Sequence, residues 1–237
     1  MFKRLMCISA IMPVLCFADN TTYGGFTDEK NNPVPFQKID SVVGIGASYV
    51  TGSIYGNNYT TNGLALSATK LFDSNVWLNF NAASAYQTSL INGNQNFLNG
   101  DVGYAFNVGD RFQVIPNLQI QRMQVGGGSS TGTANAVITS ELADVHFELV
   151  ANKHLLLFAD AGYGPGQYNV SGSGFTNSSQ NDTNVSSGGV TQINAGIAWK
   201  PLTTVPWGFK GQYLYQNYGQ GNFGAVSGYI LSTGIAF

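Results

Sequence analysis

Apolar and polar side chains alternate with a period of two residues along much of the chain. Phe112, Leu118 and Ile120, for example, share one face of an extended chain, while Gln113 and Gln119 lie on the other. Such alternation predicts β-strands with one apolar and one polar face. Ten segments alternate in this way. The count falls to eight if residues 62–72, where the alternation is weak, and one neighbouring segment are not strands. The ten segments cover residues 39–50, 62–72, 76–88, 96–107, 111–124, 137–151, 154–164, 190–200, 207–217 and 226–237.

The connections between the predicted strands alternate between short turns and longer loops, a habit of membrane-spanning β-barrels. The loops are rich in Gly, Ser, Thr and Asn, so we expect them to be mobile. Pro116 lies on the apolar face of the fifth strand, and its missing N–H predicts a bulge or local break there. Short turns are predicted at 73–75, 109–110, 152–153 and 201–206, and loops at 51–61, 89–95, 125–136, 165–189 and 218–225.

Charge is scarce along the whole chain. Charged residues make up 9% and aromatic residues 13%, with 30 glycines and a mean hydropathy of +0.00. A soluble domain usually carries about 25% charged residues. No apolar run reaches the roughly 18–20 residues that a membrane-spanning helix needs. The combination favours an all-β transmembrane barrel, in which polar interior residues alternate with apolar residues that face lipid.

The first 18 residues have the pattern of a secretory signal peptide. Lys3 and Arg4 precede a short apolar core, and a small-residue cleavage site ends at Ala18. A lipoprotein acylated at Cys16 is the less favoured alternative. Since Cys7 and Cys16 both lie in this leader, the mature chain is predicted to have neither disulfides nor thiol chemistry. Its acidic side chains outnumber its basic ones, which disfavours nucleic acid as a partner.

The chain therefore divides into three predicted parts. Residues 1–18 are the signal peptide, which directs Sec-type export. Residues 19–37 are polar and contain Pro33 and Pro35, so we expect a flexible segment on the periplasmic side. Residues 38–237 form the barrel, and its even number of strands returns both ends to the same side.

Aromatic residues cluster at the ends of the predicted strands, as two girdles at the membrane interfaces would require. Chance is the alternative explanation, because aromatic residues are common in this chain. The girdle beside the loops comprises Tyr49, Tyr86, Tyr163 and Tyr215, and the girdle beside the short turns comprises Phe106, Phe112, Trp199 and Trp207.

The final strand carries Tyr229, Leu231, Ile235 and Phe237 on one face. With the leader and the alternating strands, this aromatic ending resembles the small outer-membrane β-barrel proteins of Gram-negative bacteria. The resemblance implies a closed antiparallel up-and-down barrel surrounded by outer-membrane lipid and lipopolysaccharide. It also implies that the final strand is the signal read by the barrel assembly machinery.

Most of the ionisable residues of the predicted strands lie on the faces turned to the barrel interior. Asp160 is expected opposite His146, and Arg111 near Glu148. A His–Asp pair resembles the site of omptin-type proteases, but His146 lies mid-strand rather than at an external rim. The favoured interpretation is a plug of paired charges, and neither metal nor cofactor is expected. A zinc site that joins His146 and His154 lacks a third ligand at diagnostic spacing. The full charge cluster is Asp101, Arg111, Asp144, His146, Glu148, Asp160 and Lys210.

The sequence thus predicts a monomeric barrel with a largely filled interior that is not an enzyme. Its expected role is structural, or interaction with an external ligand through the loops. A narrow passive pore for small solutes is the alternative, because a ten-stranded barrel is barely wide enough to hold water.

Replacing Phe237 by Ser removes the aromatic end of the final strand. We expect fewer molecules to assemble into the outer membrane, while the stability of the barrels that do fold changes little. Surface levels measured on intact cells, beside unfolding of the purified variant, check this. Normal surface levels would contradict an assembly signal at this end.

Overall fold

The computed structural model describes residues 22–27, 33–37, 41–54, 57–87, 92–109, 111–129, 132–152, 154–173, 182–200, 207–219 and 224–236. The predicted signal peptide and Phe237 lie outside these residues. No helix in the described part of the chain is long and apolar enough to cross a membrane. The strands are β1 (Thr22–Thr27), β2 (Pro33–Gln37), β3 (Ser41–Ile54), β4 (Asn57–Leu71), β5 (Val76–Gln87), β6 (Asn92–Tyr104), β7 (Phe106–Val108), β8 (Phe112–Ser129), β9 (Gly132–Asn152), β10 (Leu155–Ser173), β11 (Asp182–Trp199), β12 (Trp207–Asn217) and β13 (Val226–Ala236).

The strands from β3 onward form one closed antiparallel ring, and β1 and β2 pair only with each other. Each strand pairs with its neighbours in sequence, and β13 returns to pair with β3, from Ser227 opposite Thr51 to Ala236 opposite Val42. Because β6 and β7 both pair with β8 and form one interrupted strand, the ring has ten strands. The predicted ten-stranded up-and-down barrel is confirmed.

Several segments predicted as loops are strands instead. The ladders continue to Ile54 opposite Asn57, Ser129 opposite Gly132, and Gly172 opposite Asp182. The predicted mobile loops at 51–61, 125–136 and 165–189 were therefore wrong over most of their length. Backbone hydrogen bonds alone hold such ladders, so Gly- and Ser-rich segments can pair without a strong side-chain pattern. The four strands β8 to β11 reach 18 to 21 residues.

These long hairpins all lie at one end of the barrel. The other end, which we call the turn end, is built from tight turns. In the turn after β4, Asn75 donates its N–H to the Phe72 carbonyl at 2.9 Å and adopts a φ of 61°. Gly109 adopts a φ of 70° after β7, a conformation that glycine reaches without steric cost. The end that carries the long hairpins is called the loop end.

Pro116 acts on its neighbour rather than on its own strand. Strand β8 keeps one register with β9 along its whole length. The interruption between β6 and β7 falls at Ala105, and the registers on either side of it place Tyr104 opposite Pro116. A proline cannot donate to the facing strand. On the other side of the interruption, the Ala105 N–H donates to the Asn75 carbonyl next to β5 at 2.8 Å.

The apolar face of the strands changes side along the barrel axis. In the middle of β8, Leu118 and Ile120 point outward and are 65% and 63% exposed. Further along, Met123 and Val125 point inward and are buried. The same change occurs in β10, from outward Tyr163 to inward Tyr168. We call this change the face switch, and it separates a lipid-compatible outer band from a water-compatible loop end.

Six of the eight predicted girdle residues lie at or near strand ends, whereas Tyr49 and Tyr163 lie inside β3 and β10, because both strands extend further than the sequence predicted. Six of the eight are exposed, and Phe112 and Tyr215 are half-buried. At the turn end the rings contact one another: Phe112 stacks on Phe147 at 6.2 Å between centroids, and Trp199 stacks on Phe209 at 5.8 Å. At the other girdle, Tyr213 lies 5.2 Å from Tyr229. That these rings mark membrane interfaces stays a prediction.

The seam between β3 and β13 depends on a glycine. A Cβ atom on Gly46 would lie 2.3 Å from the Leu231 carbonyl oxygen. We expect Gly46→Val to lower the free energy of unfolding by about 1–3 kcal/mol, because the facing backbone must move. Denaturant unfolding of the purified barrel measures this.

Gly100→Ala is the matched control, because a Cβ at this outward position would meet nothing within 4 Å. Equal stability of Gly46→Val and Gly100→Ala would contradict close packing at the seam.

Candidate functional site in the barrel interior

His146 lies at the centre of the buried charges. The ladder between β9 and β10 places it opposite Asp160, as the sequence predicted. Its Nδ1 lies 2.5 Å from Asp160 Oδ1, and its Nε2 lies 3.0 Å from Glu148 Oε1. A neutral imidazole has one N–H, whereas the charged form has two and can donate to both carboxylates. The geometry therefore fits an imidazolium held between two acids.

Aromatic rings fix the plane of this imidazole. Trp77 stacks on His146 with 5.2 Å between ring centroids and an interplanar angle of 21°. Phe158 lies at 6.0 Å from it with a tilt of 30°. Lys210 places its Nζ 4.5 Å from the centre of the Phe158 ring. Because Trp77 projects from β5 and His146 from β9, their contact crosses the lumen.

Asp101 and Asp144 form a second buried group, held by amides. Asn79 donates to Asp101 Oδ2 at 2.5 Å, and Asn117 donates to Asp144 Oδ1 at 3.1 Å. Arg111, which the sequence placed in the same cluster, lies in the turn before β8 and is exposed. The ladder puts Gln113 opposite Glu148. The structure thus places the exposed side chain of Arg111 at the turn end, two ladder positions from Glu148, rather than among the buried charges.

A belt of glutamines crosses the lumen on the loop-end side of these charges. Gln216 of β12 donates to Gln121 of β8 at 2.8 Å, and also lies 2.8 Å from Gln192 Oε1. Thr61 donates to Gln95 at 2.8 Å. Since β8 and β12 are separated by three other strands in the ring, the bond between Gln216 and Gln121 spans the interior.

Above this belt, apolar side chains fill the loop end. Tyr168 donates to the Tyr218 carbonyl at 2.5 Å, and the two rings meet edge to face at 6.3 Å. Burial raises the pKa of Tyr168 to about 12, so the phenol keeps its proton and remains a donor. The Tyr218 hydroxyl contacts Met123 Sδ at 3.6 Å across the lumen. This loop-end cluster comprises Val50, Tyr59, Met123, Val125, Ala136, Ile138, Leu142, Tyr168, Val190, Tyr218 and Val226.

Sequence reasoning missed both the glutamine belt and the loop-end cluster. Most of their members lie in segments that were read as loops or at the ends of short strands. The available signal was the face switch: beyond Tyr163, which points outward, the next aromatic side chain of β10 is Tyr168, at an inward position.

A cavity lies on the turn-end side of the glutamine belt. The centres of water molecules can occupy about 120 Å³ of it, and its lining runs from Gln192 and Gln216 to Lys200 and Gly208 at the turn end. Burial lowers the pKa of Lys200 below that of a free lysine. The buried acids, His146 and Lys210 all line this space.

The geometry gives little support to hydrolysis or metal binding. Both ring nitrogens of His146 are engaged by carboxylates, which leaves neither to activate a water. His154 lies at the turn end, with its Nδ1 2.8 Å from the Lys200 carbonyl oxygen. Among the residues whose side chains are described, no three of His, Cys, Asp or Glu converge as metal ligands would.

Comparison with known proteins finds no matching family model and no matching curated protein. Solved structures do match. The translocator domain of the autotransporter NalP from Neisseria meningitidis aligns with a TM-score of 0.50 and 11% identity, over 84% of this chain and 89% of that domain. Ail, the attachment invasion locus protein of Yersinia pestis, aligns at 0.39 and 13%, over 83% and 97%. Neisserial surface protein A aligns at 0.39 and 10%, over 84% and 97%.

Identities this low establish shared architecture and nothing about activity. The ring of ten antiparallel strands, the exposed apolar band and the polar interior agree with that architecture. The chain thus has the closed-barrel fold of small outer-membrane β-barrel proteins.

Proposed function

We propose that this barrel is a non-conducting surface protein of the bacterial outer membrane that contacts an external partner through its loop end. The observation that carries the proposal is the chain of contacts across the lumen. Gln216 bonds to Gln121, and Tyr218 contacts Met123, each joining β12 to β8. Solutes would have to break these contacts to pass, so the interior serves to brace the wall.

The loop end offers the contact surface. Strand β10 continues from Tyr163, which we assign to the outer girdle, to Ser173. Its outward residues over this length, such as Gln167 and Asn169, are polar and exposed. Arg122, Thr139 and Glu141 give β8 and β9 the same character. A sheet that is apolar inside and polar outside is suited to water, so we assign this part to the space outside the cell, among lipopolysaccharide.

The proposal leaves catalysis out, because His146 has no nitrogen available to a substrate. A narrow passive pore is the second candidate. The cavity favours it, since polar and charged groups line an internal space that reaches the turn end. The loop-end cluster argues against it, because its aromatic side chains close the other mouth.

Conductance separates the two candidates. We expect the wild-type barrel to give no discrete current steps in planar bilayers. The triple variant Tyr168→Ala, Tyr218→Ala, Gln216→Ala should give steps, because it removes the two rings that meet in the loop-end cluster and the bond between Gln216 and Gln121.

Tyr163→Ala is the control for loss of a tyrosine, because this ring points outward and is 66% exposed. This variant should give no current steps. Steps from the wild-type protein would contradict the closed lumen and support the pore.

Cysteine labelling tests the assignment of the loop end to the cell exterior. Gln167→Cys should react with a membrane-impermeant maleimide on intact cells, because residue 167 points outward beyond the girdle. Leu118→Cys should not react, since residue 118 lies in the apolar outer band. The unsubstituted chain is the background control. Labelling at 118 without labelling at 167 would overturn the assignment.

A further inference from the structure

The cavity on the turn-end side of the glutamine belt holds several acceptor atoms that have no donor. Four amide side chains that line it, Asn99, Asn117, Gln119 and Asn194, are between 4% and 8% exposed. The side-chain oxygen of each has no hydrogen-bond partner among the described residues. A buried acceptor without a donor costs about 1–3 kcal/mol, so these oxygens favour a ligand that brings donors.

The carboxylates explain why these amides point as they do. Asn117 uses its Nδ2 on Asp144, and Asn99 directs its Nδ2 to Asp101 at 3.4 Å. With the nitrogens directed to carboxylates, the amide oxygens must take donors from another source. Asp101 Oδ1 and Asp144 Oδ2 also lack a donor. The strand register places Asp101 opposite Gln119, and Asn117 opposite Asp144. These groups therefore lie side by side on one arc of the barrel wall, formed by β6, β8 and β9.

The charged side chains that line the cavity also favour a donor-rich cation, because acidic groups outnumber basic ones. Asp101, Asp144, Glu148 and Asp160 line it, against the three basic groups His146, Lys200 and Lys210, so the acids outnumber the bases by one. Both acids of the Asp101 and Asp144 arc are held by neutral amides rather than by a cation. Buried charges without a counterion are strongly unfavourable. A ligand that is both cationic and rich in hydrogen-bond donors would complement these acceptors.

An organic ammonium group has these properties, and the aromatic part of the lining suits it. Lys210 already places an ammonium 4.5 Å from the Phe158 ring centre, a distance at which the ring attracts the charge. Trp77 and Phe97 line the same space. A bare metal ion would also accept carboxylate and amide oxygens as ligands, but it would make no use of the aromatic wall, and three His, Cys, Asp or Glu ligands do not converge among the described side chains.

We propose that this cavity is a binding site for a small aliphatic polyammonium compound, entered from the turn end. Its ammonium groups donate to Asp101, Asp144 and the free amide oxygens, and its methylene groups pack along the aromatic wall. The site lies on the opposite side of the glutamine belt from the loop-end cluster. A ligand bound there would not need to cross the barrel, so the site is compatible with a closed lumen.

Calorimetric titration of the folded full-length barrel with spermidine, in a zwitterionic detergent, tests the proposal. We expect saturable binding with one molecule per barrel. Asp101→Asn and Asp144→Asn, made separately, should each weaken it at least tenfold, because each keeps the shape of the side chain and removes one charge-assisted contact. Two independent variants keep the test decisive if one of them does not fold.

Glu141→Gln is the matched control, since it removes one acid from the outward face of the same strand as Asp144. Its affinity for spermidine should equal that of the wild-type barrel. Absence of saturable binding, or equal weakening by Glu141→Gln, would overturn the proposal. Calcium chloride is titrated in parallel. Calcium binding that displaces spermidine would also overturn it, in favour of an inorganic cation site.

Discussion

A strand has two faces, and the medium against each face decides which one must be apolar. In this barrel that constraint changes along the axis. In the middle, lipid lies outside, so Leu118 and Ile120 point outward and the interior can be polar. Toward the loop end the outer face is polar, which suits contact with water, and Met123 and Tyr168 turn inward and form a small core. The face switch therefore joins a membrane barrel to a water-soluble one without a linker, a domain boundary or a change of strand direction.

The interior is organised in layers by the same constraint. The loop-end cluster excludes water, so the hydrogen bonds of the glutamine belt below it are made within protein. The charges around His146 lie deeper, between rings and amides that limit their movement. On the turn-end side, Leu71, Trp77, Ala105 and Ile115 form another apolar group. Polar chemistry is thus confined to the middle of the barrel, which is where the unbalanced acids and the cavity occur.

The fold followed from the sequence because period two is a direct consequence of strand geometry. The strand count, the faces of β8 and β9, and the opposition of His146 and Asp160 needed only alternation and tight turns. The loop end could not be predicted, because in β10 the outward and inward positions exchange polarity and the average signal vanishes. The contacts of Gln121 with Gln216 join residues 95 positions apart. Only a closed ring, with its strand tilt, brings such residues face to face.

The seam between β3 and β13 has a consequence for the order of folding. Thr51 meets Ser227 across 176 positions of chain, so contact order at this junction is very high, and such contacts form slowly. Until β13 arrives, β3 presents an open edge of unpaired backbone groups, which invites pairing with another chain. Partly synthesised or partly inserted forms are therefore the state most prone to aggregation, and shielding one strand edge would protect the whole molecule during assembly.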